Sequence, residues 1–480
     1  MTYPSTTGAP MPQAQTDRET AARYGDALLA QRKPPWYSLA PTSPTGAKAA
    51  PDDLPAAQRD LLRLVAHLGA APVPLGLLDG DLPASLAAPA NLVLAAAHLG
   101  AAGLARVDRD TLSIDLWLAK RLRDATPAPD RHDLLTSARR LLRRRLPDHR
   151  LPEARPAWRA LLPHALAAAG DVTAGDVDDA TWLMERAAAY LQQYDQLDAA
   201  QLLLDRSLTV KQERYGVEHP ELAATLGDLG AVLVLRGETD RAERELTRAV
   251  GIAGAAHGRN SVEVARPVAH LGVLMHDLGR LEDARDLHAW ALRNTMAGLG
   301  SDHPETAERA ARLAGVLHDL GDLDTARALY EQALAIGQHA DGPGHPALAG
   351  TVAALGAVLK DLGDPGAADV LERALAMRLH DDDQRGTASI LVDLGVAHQQ
   401  QGRTETAGDH LARAVVLARD TGELQVLALA LRNLAVVEHL AERPARRAAL
   451  MDEAVAAFEA GYGPDHPLTV ECRALRAAWT

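Results

Sequence analysis

At 480 residues, with 47% hydrophobic and 24% charged residues, the chain has room for several domains or one long solenoid with an ordinary core. Aromatics make up only 3%, so Ala and Leu must do the packing, which favours helix over strand. A formal net charge of −14 argues against a nucleic-acid partner, and the single cysteine, Cys472, excludes an internal disulfide and any multi-cysteine metal site. The N-terminus shows no basic segment followed by an apolar core, and no apolar run reaches membrane-spanning length. A cytoplasmic protein without a membrane partner is expected. Residues 1–53 are dominated by Pro, Ser, Thr and Ala and are expected to be largely mobile, with one helix near 17–32 ("DRETAARYGDALLAQR").

From Leu54 the pattern changes. "AAQRDLLRLVAHLG" and "ANLVLAAAHLGAAGL" read as helices. "ARVDRDTLSIDLWLAKRLRD" reads as strand, Asp-Arg-Asp turn, strand, then a helix from about Asp115. Helices followed by a short hairpin make 54–127 a winged-helix-like module, and two further helices make 128–176 a helical connector. The basic run at Arg139 to Arg145 ("RRLLRRR") reads as a solvated helix face in preference to a nucleic-acid patch.

Over 177–480 the chain repeats. Leu229-Gly230, Leu271-Gly272, Leu313-Ala314 and Leu355-Gly356 stand 42 residues apart, followed by Leu394-Gly395 and Leu434-Ala435, with Ala187-Ala188 as a degenerate first copy. Eight residues after the first member of each pair comes a turn residue: Asp195, Gly237, Gly279, Gly321, Gly363, Gly402 or Glu442. Five further on, six copies have Ala (Ala200 to Ala407) and the seventh has Arg447. A fixed period of this length means stacked helix pairs, helix A and helix B, each covering its neighbour's apolar face. The small pair lets the two helices approach, and the turn residue caps helix A in the left-handed conformation. The joints "YGVEHPELA", "LGSDHPETA", "DGPGHPALA" and "YGPDHPLTV" place His219, His303, His345 and His466 just before a proline suited to the first turn of the next helix A.

These features resemble the tetratricopeptide repeat, in the 42-residue variety of kinesin light chains and many actinobacterial proteins. The resemblance implies an all-α fold: a right-handed α-solenoid of about seven helix pairs plus a terminal helix. Residues 55–170, through "LLRLVAHLGAAPVPLGLL", "DTLSI" and "WRALLPHALAAA", resemble the segment of NB-ARC/STAND switch proteins between the nucleotide-binding domain and the repeats. The Gly-x-x-x-x-Gly-Lys-Ser/Thr phosphate loop of those proteins is missing, so no nucleotide cofactor is expected.

The chain also lacks Gly-x-Ser-x-Gly, His-Glu-x-x-His and Gly-x-Gly-x-x-Gly, and Asp381-Asp382-Asp383 reads as a solvated loop. Two adjacent pairs, His276-Asp277 and His318-Asp319, fall at helix-A positions twelve and thirteen when the first member of the small pair counts as seven. Equivalent groups in stacked repeats stand on the order of 10 Å apart. One Zn²⁺, at about 2 Å from each nitrogen, cannot bridge two of them. No metal, cofactor or catalytic residue is expected.

In tetratricopeptide arrays such positions line the concave face. The implied partner-binding row is Arg186, Gln192, Asp228, His270, His276, Asp277, Arg312, His318, Asp319, Lys360, Asp361, Asp393, Gln399 and Asn433. The expected function is a non-enzymatic scaffold that holds a peptide or partner protein, such as a peptide-modifying enzyme or its substrate, in this groove. The alternatives are a peptide-responsive transcription regulator that puts the winged-helix-like part on DNA, and an enzyme that uses the His/Asp column. The sequence does not specify an oligomeric state.

Overall fold

A computed structural model describes residues 53–479, with breaks at 70, 80–81, 87–88, 150–153, 171, 173–176, 343 and 379–383, and also Glu19 and Ala22. The expectations for the rest of 1–52 and for Asp381–Asp383 lie outside the described residues. Twenty helices and three short strands make up the described chain. It divides into two compact units, Met1–Arg259 and Asn260–Thr480.

The first unit opens with α1 (Ala56–His67), β1 (Val73–Pro74), α2 (Pro89–Ala101), β2 (Arg106–Val107), β3 (Thr111–Ser113) and α3 (Leu116–Ala125). The strands run antiparallel in the order β1-β3-β2, with Leu112 opposite both Val73 and Val107. Inserting the third strand between the first two gives the strand order expected of a winged-helix-like module. The hairpin follows from its Asp-Arg-Asp turn. β1 is too short to show any alternation in sequence, and the reading above does not contain it. Leu61, Leu64, Leu99 and Leu112, all fully buried, tie sheet and helices together.

Helices α4 (Ala128–Arg145) and α5 (Arg155–Ala168) lead into two helix pairs, α6 (Val177–Gln193) with α7 (Leu197–Tyr215), and α8 (Leu222–Leu235) with α9 (Thr239–His257). One group of aromatics sits where connector meets repeat. Buried Trp158 stacks on Tyr190 at 5.0 Å between ring centres and donates its indole N–H to Pro147 O at 3.0 Å. His164, also fully buried, reaches the carbonyls of Leu68 at 2.7 Å and Pro72 at 3.2 Å, which holds the end of α1 against α5. Desolvation is the largest influence on this imidazole and keeps its pKa below the ordinary value despite those carbonyls.

The second unit holds five pairs: α10 (Val262–Asp277) with α11 (Leu281–Leu299), α12 (Pro304–Asp319) with α13 (Leu323–Asp341), α14 (Ala349–Asp361) with α15 (Ala367–Arg378), α16 (Gln384–Gln400) with α17 (Thr404–Thr421), and α18 (Leu424–Leu440) with α19 (Pro444–Tyr462). Helix α20 (Pro467–Trp479) closes the series. The repeat signals have the physical roles read from sequence. Ala284, Ala326 and Ala407 are fully buried at their helix crossings. A Cβ on Gly356 would fall 2.6 Å from Leu371 of the partner helix, so only glycine permits that approach. Gly279 turns α10 into α11 at φ 72°, and the degenerate copies Asp195 and Glu442 adopt the same left-handed state at 63° and 57°. At the joints, His303 Nδ1 accepts the Glu305 N–H at 3.2 Å. His219, His345 and His466 accept from the second residue on in the same way, at 3.3, 3.4 and 3.3 Å. His303 thereby replaces the usual Ser or Asp as the cap of α12, while His219 and His345 close the turns that lead into α8 and α14.

Candidate functional site

The candidate row lies on the A helices. In the second unit its charged members are not independent. His276 Nε2 of α10 meets Asp319 Oδ2 of α12 at 2.6 Å. One repeat on, His318 Nε2 meets Asp361 Oδ2 of α14 at 2.7 Å. Lys360 Nζ then donates to Asp393 Oδ1 of α16 at 2.8 Å and pairs with its neighbour Asp361 at 3.2 Å. The result is a ladder along α10, α12, α14 and α16, in which position twelve of one helix bonds to the next helix.

The adjacent His-Asp pairs of the sequence are therefore not the pairs of the structure. Each histidine takes the aspartate one repeat later. Spacing at equal positions, about 10 Å, describes the row but misses this diagonal. Asp277, the sequence neighbour of His276, is exposed and makes no hydrogen bond or ion pair among the described residues.

The electrostatics follow the ladder. The hydrogen bond that His276 donates to Asp319, against some desolvation, raises the pKa of His276, and the bond to Asp361 does the same for His318. At Lys360 burial opposes the charge, but Asp393 and Asp361 together outweigh it and raise the pKa. At Asp361 burial opposes ionisation, yet the bonds from His318 and Lys360 bring the carboxyl below its usual value. Beside the ladder, Arg312 is exposed and has no carboxylate partner among the described residues, while its charge reaches His276 on α10, His288 on α11 and Tyr330 on α13. Gln399 and Asn433, half-buried on α16 and α18, are also without a side-chain hydrogen bond, and His270 is half-buried on α10. At the far end, the ring of His439 stacks on Trp479 of α20 at 4.5 Å, and Arg447 reaches both His439 Nδ1 at 3.2 Å and Trp479 O at 2.6 Å. The arginine that breaks the alanine rule thus fastens the terminal helix over the last position twelve.

In the first unit the row is differently used. Arg186 and Arg143 both lie over the Trp182 ring, at 5.7 and 5.2 Å, while Gln192 and Asp228 are half-buried on α6 and α8. A network absent from the sequence reading joins the two helix pairs. Glu185 Oε1 accepts from Ser207 at 2.8 Å, Lys211 at 2.6 Å and Thr225 at 2.6 Å, and Lys211 also donates to Thr225 Oγ1 at 3.0 Å.

The features that would carry a DNA contact are used otherwise. Arg139 is fully buried and donates to Ala168 O at 2.8 Å. Arg143 pairs with Asp179 at 2.7 Å and Arg145 with Asp79 at 3.0 Å. Helix α2, in the place of a groove-reading helix, exposes Val93 and Leu94 and contains no Arg or Lys. No described helix is long and apolar enough to cross a membrane.

Comparison with known proteins agrees with this architecture. A tetratricopeptide-repeat family model matches residues 178–255, 263–336 and 306–380, and a second such model matches 427–468. The chain is a tetratricopeptide-repeat protein, whose small pairs recur every 42 residues from Leu229 to Leu355. Among solved structures, a STAND protein with a tetratricopeptide repeat sensor from Pyrococcus horikoshii shares the fold at TM-score 0.54 and 13% identity, covering 90% of this chain and 66% of that one. BtubC (BKLC) from P. vanneervenii aligns at TM-score 0.41 and 20% identity, over 47% of this chain and 92% of that one. The Rap conjugation gene regulator of plasmid pLS20, solved with the Phr* peptide, aligns at TM-score 0.44 and 15% identity, over 70% and 98%. No curated protein sequence matches the chain.

Proposed function

We propose that the chain is a non-catalytic recognition subunit whose A-helix row in residues 260–480 holds an extended peptide or partner segment. The observation that supports this reading is the division of labour along the row. His276, His318 and Lys360 are held in place by carboxylates of neighbouring repeats. Arg312, Asp277, Gln399 and Asn433 offer side-chain donors and acceptors that take no hydrogen-bond partner among the described residues. Fixed walls with free polar groups between them lower the ordering cost of binding an extended chain. A partner that is a peptide-modifying enzyme, or the peptide it modifies, is the concrete form of the proposal.

The test is capture from native cytosol with the wild type and with an R312A/D277A/N433A variant, which leaves every rung of the ladder intact. Loss of a prey with unchanged circular dichroism places the contact on the A-helix row. Unchanged prey moves it to the B helices or to the winged-helix-like module.

A further inference from the structure

The ladder has two kinds of rung. Its third uses Lys360, whose raised pKa keeps it charged at any physiological pH. Its first two use His276 and His318, the side-chain type that changes charge in that range. All three occupy position twelve, and each reaches into the next repeat: 2.6 Å from α10 to α12, 2.7 Å from α12 to α14, 2.8 Å from α14 to α16. Solenoid repeats touch only their neighbours, and these rungs add a direct polar link between successive A helices to the apolar packing of the B helix between them.

We propose that these rungs form a proton-operated clasp: with His276 and His318 protonated, ion pairs tie α10 to α12 and α12 to α14, and deprotonation loosens these two joints while the Lys360 joint keeps its charge. The groups facing His276 are Asp319 across the joint, Asp277 on its own helix, Arg312 on α12 and His288 on α11. Those facing His318 are Asp361, Asp319 and Lys360. In both cases the bonded carboxylate dominates, so the proton is retained beyond the pH at which a free histidine gives it up. A group whose pKa is raised on folding contributes its stabilisation fully below the unfolded value and loses it as pH climbs through the folded one. The clasp is therefore tightest in mildly acidic solution and loosens toward alkaline pH. Neutral imidazole still hydrogen-bonds to Asp319 or Asp361 but no longer attracts it as an ion, and the half-exposed rungs weaken rather than break. This device operates whether or not the row holds a partner.

Amide hydrogen exchange of the full chain, read by mass spectrometry at pH 5.5 and 8.5 and corrected for the intrinsic rate, tests it. Protection in the last turns of α10, α12 and α14 falls about fivefold from the lower to the higher pH, the effect of two surface-type pairs. An H276K/H318K variant copies the third rung twice and keeps high protection at both values. A D319N/D361N variant shows low protection at both. Equal wild-type protection at the two pH values, or a step that persists in H276K/H318K, overturns the proposal.

Discussion

His288 of α11 lies across Gly272 of α10, so that a Cβ at Gly272 would stand 2.9 Å from the imidazole Nε2. In the next repeat Ala314 stands at the position of Gly272, and Tyr330, at the position of His288, lies instead over Gly315, where a Cβ would meet only the hydroxyl, at 3.3 Å. The two glycines therefore differ in purpose. Gly272→Ala drives a methyl into a buried ring that cannot move aside, and is expected to cost about 2 kcal/mol. Gly315→Ala meets the end of a longer side chain, and the better helix propensity of alanine, worth up to about 1 kcal/mol, offsets the crowding. Chemical denaturation of the two variants separates them: a clear loss for the first, little change for the second.

The same imidazole makes acid stability depend on one position. Desolvation, then the charges of Arg312, His276 and Arg309, push the His288 pKa down to about 4. Unfolded, it titrates near the ordinary value of about 6.5. Between those values the unfolded chain binds the proton and the folded chain does not, so stability falls as pH drops through that window. The full effect is about 3 kcal/mol, and His288→Leu removes it. Stability measured from pH 7 to pH 4 is expected to fall more steeply in the wild type than in H288L. Parallel curves contradict the assignment.

Much of this architecture is local and hence readable. The turn at Gly279, the caps at His303 and His466 and the wing hairpin are each decided within a few residues, by a left-handed backbone, a single imidazole acceptor or an Asp-Arg-Asp turn. The small pair of helix A was legible as a close approach, but its occupant was not: Leu371 and His288 face equivalent glycines with very different chemistry. The binding row was found by position, and its pairing was missed. His276 and Asp319 are 43 residues apart and meet because position thirteen of one A helix faces position twelve of the one before. A periodicity argument compares like positions and has no access to that stagger. Glu185 was missed for the opposite reason. Its position holds Gly227, Ala269, Ala311 and Ala353 in the following copies, so no repeat pattern marks it.

That Glu185 network is expected to be the most sensitive polar feature of the first unit. Lys211 is almost fully buried and fills three acceptors: Glu185 Oε1, Thr225 Oγ1 and the Glu221 carbonyl. Lys211→Ala leaves the Glu185 carboxylate with hydroxyl donors alone and is expected to cost about 3 kcal/mol. Replacing both charges, in Glu185→Leu/Lys211→Met, leaves no buried ion without its counter-charge, and a smaller loss than in K211A is expected despite two substitutions. If the double variant is the less stable of the two, the network stabilises through its hydrogen bonds more than through its charge balance.

Glu442 offers a gain in stability at a position that touches no part of the binding row. It occupies the turn between α18 and α19 at φ 57°, where five other repeats have glycine. An L-residue in that state costs about 1–2 kcal/mol relative to a helical one, because its Cβ crowds the carbonyl oxygen. Glycine escapes the clash but is costlier to order, by about 0.5–1 kcal/mol. The difference leaves Glu442→Gly stabilised by about 0.5–1 kcal/mol. Asp195, at 63°, is a weaker candidate, because a short polar side chain tolerates the left-handed state better than glutamate does. The denaturant midpoint of E442G is therefore expected above both wild type and D195G. A lower midpoint for E442G would mean that the glutamate side chain, rather than the backbone, decides this turn.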